Sequence, residues 1–137
     1  MDDVIINWWA IIVSTIAAMI IGAIWYMPAV FGKAWMAATG RTMEQIQSEG
    51  SPAKAYAWTT LLYLIQAFVL AHVLYAYGAF DVPGGLEGAL WMWLGFVMPI
   101  FAMSSLFEKK PWKLFWINSL HHLVVLLAMG VILALWQ

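Results

Sequence analysis

The chain has 137 residues, of which 65% are apolar and only 9% charged, and its mean hydropathy is +0.86. That exceeds the roughly half-apolar usage of soluble domains. The formal net charge of −1 offers no surface for tracking phosphates, so nucleic acid is excluded as a partner. With no cysteine there is no disulfide framework, thiolate metal site or thiol nucleophile.

The hydrocarbon of a bilayer is about 30 Å thick, so a spanning helix needs roughly 20 apolar residues at ~1.5 Å each. Four segments meet that length: Trp8–Met27, Tyr56–Tyr77, Leu86–Phe107 and Leu114–Trp136. None holds an Asp, Glu, Lys or Arg in its middle. The expected fold is an all-α membrane protein, a single integral membrane domain of four transmembrane helices with a short interfacial helix after the first. The first apolar run follows Asp2 and Asp3 and carries paired tryptophans, unlike the basic, short-cored signal peptide, so it is expected to remain as a mature helix.

The charge pattern orients these spans. All six basic residues (Lys33, Arg41, Lys54, Lys109, Lys110, Lys113) fall in two stretches, 28–55 and 108–113. Cytoplasmic loops collect Lys and Arg, which places both stretches inside and leaves the N-terminus, the 78–86 connection and Gln137 outside. Asp2, Asp3, Asp81 and Glu87 then lie at the outer end. The expected location is the cell (inner) membrane, multi-pass, with both termini outside the cytoplasm and the lipid bilayer as the first partner.

Taken in chain order, the first helix carries Ala10, Ser14, Ala18 and Gly22 every four residues. Small residues that allow close backbone approach mark contacts between membrane helices; a homo-oligomer is expected, with this stripe as its leading interface candidate and packing inside the protomer as the alternative. The helix should end near Pro28, which cannot continue the backbone ladder. After it, Val30, Phe31, Ala34, Trp35 and Ala38 recur on one face, predicting a short helix over 29–38 lying in the inner interface. Thr42 with Gln45 has the spacing of a capping box, and Ser51-Pro52 reads as an N-cap and first-turn proline. Asp81-Val82-Pro83-Gly84-Gly85 reads as a turn cluster and Lys109-Lys110-Pro111 as a tight connection. In the third helix Pro99 removes a hydrogen bond from the carbonyl of Gly95, predicting a kink.

Polar residues inside the spans sort by depth at ~1.5 Å per residue. Ser104, Ser105 and Asn118 lie near the inner surface. Gln66, His121 and His122 lie roughly 12–16 Å deep, and Ser14, Thr15 and His72 nearer the outside. Asn118 and His122 are four apart and share a face. Such groups either line a hydrated path or ligand site or hydrogen-bond between helices, each bond contributing around 1 kcal/mol. His72 and His121 differ in depth by roughly 12 Å, too far to share an ion, and no intramembrane carboxylate completes a metal site. No catalytic triad, paired carboxylates or phosphate loop can be assembled either, so neither a cofactor nor an enzymatic activity is expected.

The stretch from Trp25 to Trp35, together with Ser105-Leu106-Phe107-Glu108 and the run Trp112 to Asn118, resembles the family catalogued as domain of unknown function 1761 over essentially the whole chain. The resemblance implies a small multi-pass membrane protein of prokaryotic type and supplies no reaction. It also locates the motifs at the inner ends of helices one, three and four. There Lys33 and Glu108 are candidates for an ion pair, with Trp25, Tyr26, Trp35 and Trp112 around them. That patch either anchors the interfacial helix or holds a lipid headgroup or small anion. The candidate binding set is therefore Gln66, Asn118, His121, His122, Lys33, Glu108, Trp25, Tyr26, Trp35 and Trp112. Two functions follow from it: binding or passage of a small solute, ion or lipid, or a structural or accessory subunit of a membrane assembly.

Overall fold

A computed structural model describes residues 3–137; Asp2, assigned with Asp3 to the outer end, lies outside the described residues. Helix α1 (Trp8–Trp25) starts where the Asn7 side chain accepts from the backbone N–H groups of Trp9 and Ala10 at 3.1 and 3.3 Å. It ends, as expected, just before Pro28. The Met27 carbonyl then accepts from both Val30 and Gly32 at 2.9 Å, closing a single wide π turn over Pro28–Gly32. Gly32 is required there, because a Cβ would lie 2.8 Å from the Met27 carbonyl oxygen. The chain continues directly into α2 (Lys33–Thr39), so the expected short helix is present, with a π-helical first turn.

Helix α3 (Met43–Ser48) opens on the expected capping box: Gln45 N–H donates to Thr42 Oγ1 at 3.2 Å and Thr42 N–H to Gln45 Oε1 at 2.9 Å. Helix α4 (Ala53–Tyr77) begins three residues before Tyr56, with Ser51 Oγ accepting from Ala53 N–H. It stops at Gly78, whose φ of 77° favours glycine. The 78–86 segment is not all connection. Asp81 caps a helix rather than starting a turn, accepting from Gly84 N–H at 2.8 Å, and α5 runs Val82–Phe96. Proline in a first turn loses no hydrogen bond, since those N–H groups have no helical partner. The Pro99 kink is realised as a break at Val97 (φ −113°, ψ −60°), after which α6 (Met98–Phe107) completes the third span. Helix α7 (Trp112–Leu135) is the fourth. Trp8–Trp25, Ala53–Tyr77, Val82–Phe107 and Trp112–Leu135 are each long and apolar enough to cross a membrane, and no strand occurs among the described residues.

The centre of the bundle is α7, which packs against α1, α4, α5 and α6. Its Val125, Met129 and Leu133 meet Ile11 and Ala18 of α1, Ala67, Leu70 and Leu74 of α4, and Ala89 and Trp93 of α5 in one core. The small-residue stripe of α1 is part of this packing: Ala10, Ser14 and Ala18 are at most 1% exposed. It is therefore an intramolecular contact. Ile12, Ile16, Ile20 and Ile24, also four apart, line the opposite, exposed face of α1. The end of α1, all of α2 and α3, the start of α4, the end of α6 and the start of α7 gather at one end of the bundle. All six basic residues are therefore at that end.

Candidate functional site

Two hydrogen bonds fix the end of α1 to the first half of α7. The indole Nε1 of Trp25 donates to the carbonyl of Ile117 at 3.0 Å, and Tyr26 Oη donates to Asn118 Oδ1 at 2.7 Å. Antiparallel packing then sets His121, one turn beyond Asn118, opposite Gly22, one turn before Tyr26. A Cβ at Gly22 would approach His121 Nε2 to 3.4 Å and Tyr63 Oη to 3.9 Å. The glycine thus leaves room for the imidazole and the phenol to face α1.

His121 is 3% exposed. Its Nε2 lies 3.5 Å from Tyr63 Oη, at the outer limit of a hydrogen bond, and its buried Nδ1 has no partner. The rings of Tyr26, Trp25 and His122 surround it at centroid distances of 5.1, 6.1 and 4.8 Å. Between α1 and α4 opens a cleft of about 610 Å³ whose lining includes this buried histidine. Helix α1 contributes Met19, Gly22, Ala23 and Tyr26 to its walls; α4 contributes Tyr56, Thr59 and Tyr63. A second hollow of about 480 Å³ adjoins it through Tyr26 and Tyr56 and runs beneath Trp35 and Met36 of α2 and Met43 and Ile46 of α3. The guanidinium of Arg41 lies 5.8 Å above the Trp35 ring and pairs with Glu49. On the far side of Asn118 a hollow of about 60 Å³ is lined by Ser104, Ser105 and Lys110, room for about two waters.

The structure brings together five of the expected residues, Trp25, Tyr26, Trp35, Asn118 and His121; His122 touches His121 but faces away from the cleft, and Gln66, Lys33, Glu108 and Trp112 lie apart. Glu108 does not pair with Lys33. It takes the Lys110 ammonium at 2.8 Å, two residues away on the same tight connection, while Lys33 is exposed. The hydrogen bond and charge of Lys110, then the Ser104 hydroxyl, hold the Glu108 carboxyl below its usual range. Trp112 is exposed and rests edge-on against Phe115. His122 turns to the α6 side and stacks on Phe101 at 5.4 Å. Gln66 lines neither cleft, and its Oε1 is buried without a partner. Tyr56, Thr59 and Tyr63 were not among the expected residues, although their i, i+3, i+7 spacing puts them on one face of α4. In the sequence, Gly22 stands out only as a small residue of the α1 stripe.

The family model described as "Protein of unknown function (DUF1761)" matches residues 9–134, nearly the whole chain. The chain belongs to that family. No curated protein and no solved structure gives a significant match.

Proposed function

We propose that this DUF1761 member is a multi-pass protein of the cell (inner) membrane that binds a small amphipathic molecule in the cleft between α1 and α4. Both termini lie outside the cytoplasm, and the end of the bundle bearing the basic residues lies inside. The observation that carries the binding function is the cleft itself. It has a volume typical of small-molecule sites, its walls are mainly apolar, and they include a buried imidazole whose ring nitrogens have one long contact between them. Tyr63 Oη and His121 Nε2 face each other in an apolar surround with only this long contact between them, and a ligand oxygen would give both a good one.

A homo-oligomer belongs to the same proposal. With the α1 stripe buried inside the protomer, a second copy would meet one of the remaining exposed apolar faces, such as the outer face of α5 and α6 with Leu90, Leu94, Ile100 and Met103.

Native mass spectrometry of the protein taken from its own membrane tests the binding function. The wild type should carry a small-molecule adduct that Gly22→Leu loses. A wild type without adduct that leaves the membrane with a stoichiometric second protein would instead make it an accessory subunit.

A further inference from the structure

We infer that the occupant of the α1–α4 cleft is a membrane-soluble quinone, held by one carbonyl oxygen between Tyr63 and His121. This rests on the cleft being a binding site and adds the class of its ligand.

The first reason is the donor arrangement. Tyr63 Oη and His121 Nε2 are 3.5 Å apart, too far for a good bond to each other. A single acceptor oxygen placed about 2.8 Å from both would complete two good ones, with the imidazole proton on Nε2. Gly22 faces this pair and keeps the space in front of it open. The neighbouring polar groups are already used: Tyr26 Oη donates to Asn118, and Thr59 Oγ1 donates to the Ala55 carbonyl at 2.8 Å. Below the exposed Tyr56 at the mouth, the cleft therefore offers one uncommitted donor pair, suited to one acceptor.

The second reason is charge. Among the described residues, no Lys, Arg, Asp or Glu lines the cleft. A carboxylate or phosphate head would be desolvated at this depth without a counter-ion, which is prohibitively costly, whereas a neutral carbonyl is not. The third is shape and access. Aromatic rings on α1 and α4 flank the donor pair, and offset packing against them favours a flat ring. Ile20 and Ile24 of α1 and Leu62 of α4, each next in sequence to a residue lining the cleft, are exposed and apolar, so an alkyl or isoprenoid tail would leave sideways past them into lipid.

The probe is a decyl-substituted 1,4-benzoquinone, titrated against the full chain in detergent and counted by native mass spectrometry, with decanoate and decanol as competitors. One quinone should bind per chain. Tyr63→Phe and His121→Leu should each weaken it about tenfold, the loss of one hydrogen bond. Ala23→Leu, which narrows the cleft from an exposed rim position and leaves the core intact, should abolish binding even if Gly22→Leu fails to fold. Neither competitor should displace the quinone. Equal quinone counts in all folded variants would overturn the inference as mere partition into detergent. Displacement by decanol or decanoate at matching concentration would overturn it too, while leaving the cleft as a general amphiphile site. If none of the three compounds binds in a manner sensitive to Ala23→Leu, the inference and the binding function fall together.

Discussion

Gly85 of α5 and Gly130 of α7 hold their helices backbone to backbone: a Cβ built on either would collide with the other's carbonyl oxygen, and would lie 2.8 Å from Ala134 Cβ in the first case and 2.9 Å from Ala89 Cβ in the second. Close approach of this kind is what joins helices in a solvent as apolar as their own side chains. Gly85→Ala and Gly130→Ala should therefore cost at least the ~1–3 kcal/mol typical of overpacking, read as a lower midpoint of unfolding in detergent. Gly95→Ala is the contrast. Nothing lies within 4 Å of its would-be Cβ, so the better helix former should leave the midpoint unchanged or raise it, by up to about 1 kcal/mol.

Ala18 is fully buried at the centre of the α1 stripe. Ala18→Leu should consequently destabilise the protomer, again by ~1–3 kcal/mol, and leave the native mass of the folded fraction unchanged. A fall in native mass with an unaltered melting transition would return the stripe to the role of an oligomer contact.

Much of this was legible in the sequence, for identifiable reasons. Span number follows from apolar length, the α1 end from Pro28, and the Thr42–Gln45 cap from spacing alone. The α5 start was misplaced because Pro83, Gly84 and Gly85 have turn composition; what puts them in a helix is the Asp81 cap and the close approach of Gly130, a contact 45 residues away in sequence. At the candidate site, depth counting put Gln66, Asn118, His121 and His122 in adjacent layers but could not choose between faces. His121 and His122 are consecutive, so their side chains diverge by about 100°, and packing alone turns one to the cleft and the other onto Phe101. The Lys33–Glu108 pairing was defeated by proximity: Lys110 reaches Glu108 without crossing the bundle.

The Tyr26–Asn118 hydrogen bond joins residues 92 apart in sequence and ties the end of α1 to α7. A double-mutant cycle of Tyr26→Phe and Asn118→Leu should return a coupling of about 0.6–1 kcal/mol, the usual range for interhelical polar contacts in membranes. Lys33→Gln with Glu108→Gln, measured identically, should be additive.

The Glu108 carboxyl should titrate below the usual carboxylate range, because Lys110 hydrogen-bonds its charged form. The sign follows from the lowered value: the contact's contribution is present above the ordinary carboxylate pKa and is lost as pH falls through the depressed one. Side-chain NMR on the labelled protein should show Lys110→Gln raising the value most of the way back, with the Ser104 hydroxyl still lowering it, and Lys33→Gln leaving it depressed.

Orientation can be tested directly, since the chain has no cysteine and a single introduced thiol reports one position. Lys33, Arg41, Lys54, Lys109, Lys110 and Lys113 share one end of the bundle, while Asp3, Asp81 and Glu87 lie toward the other. Basic residues are retained on the cytoplasmic side during insertion, whereas acidic ones contribute little to orientation. In intact cells or right-side-out vesicles, a membrane-impermeant maleimide should therefore label Asp3→Cys, while Lys110→Cys should react only after the membrane is opened. Four spans require the terminus after α7 to behave like Asp3, so Gln137→Cys should label from outside as well. Labelling of Asp3→Cys and Lys110→Cys from the same side would contradict the antiparallel arrangement of the spans. Labelling of Lys110→Cys from outside with protection of Asp3→Cys would invert the protein, and would move the mouth of the α1–α4 cleft to the outer leaflet.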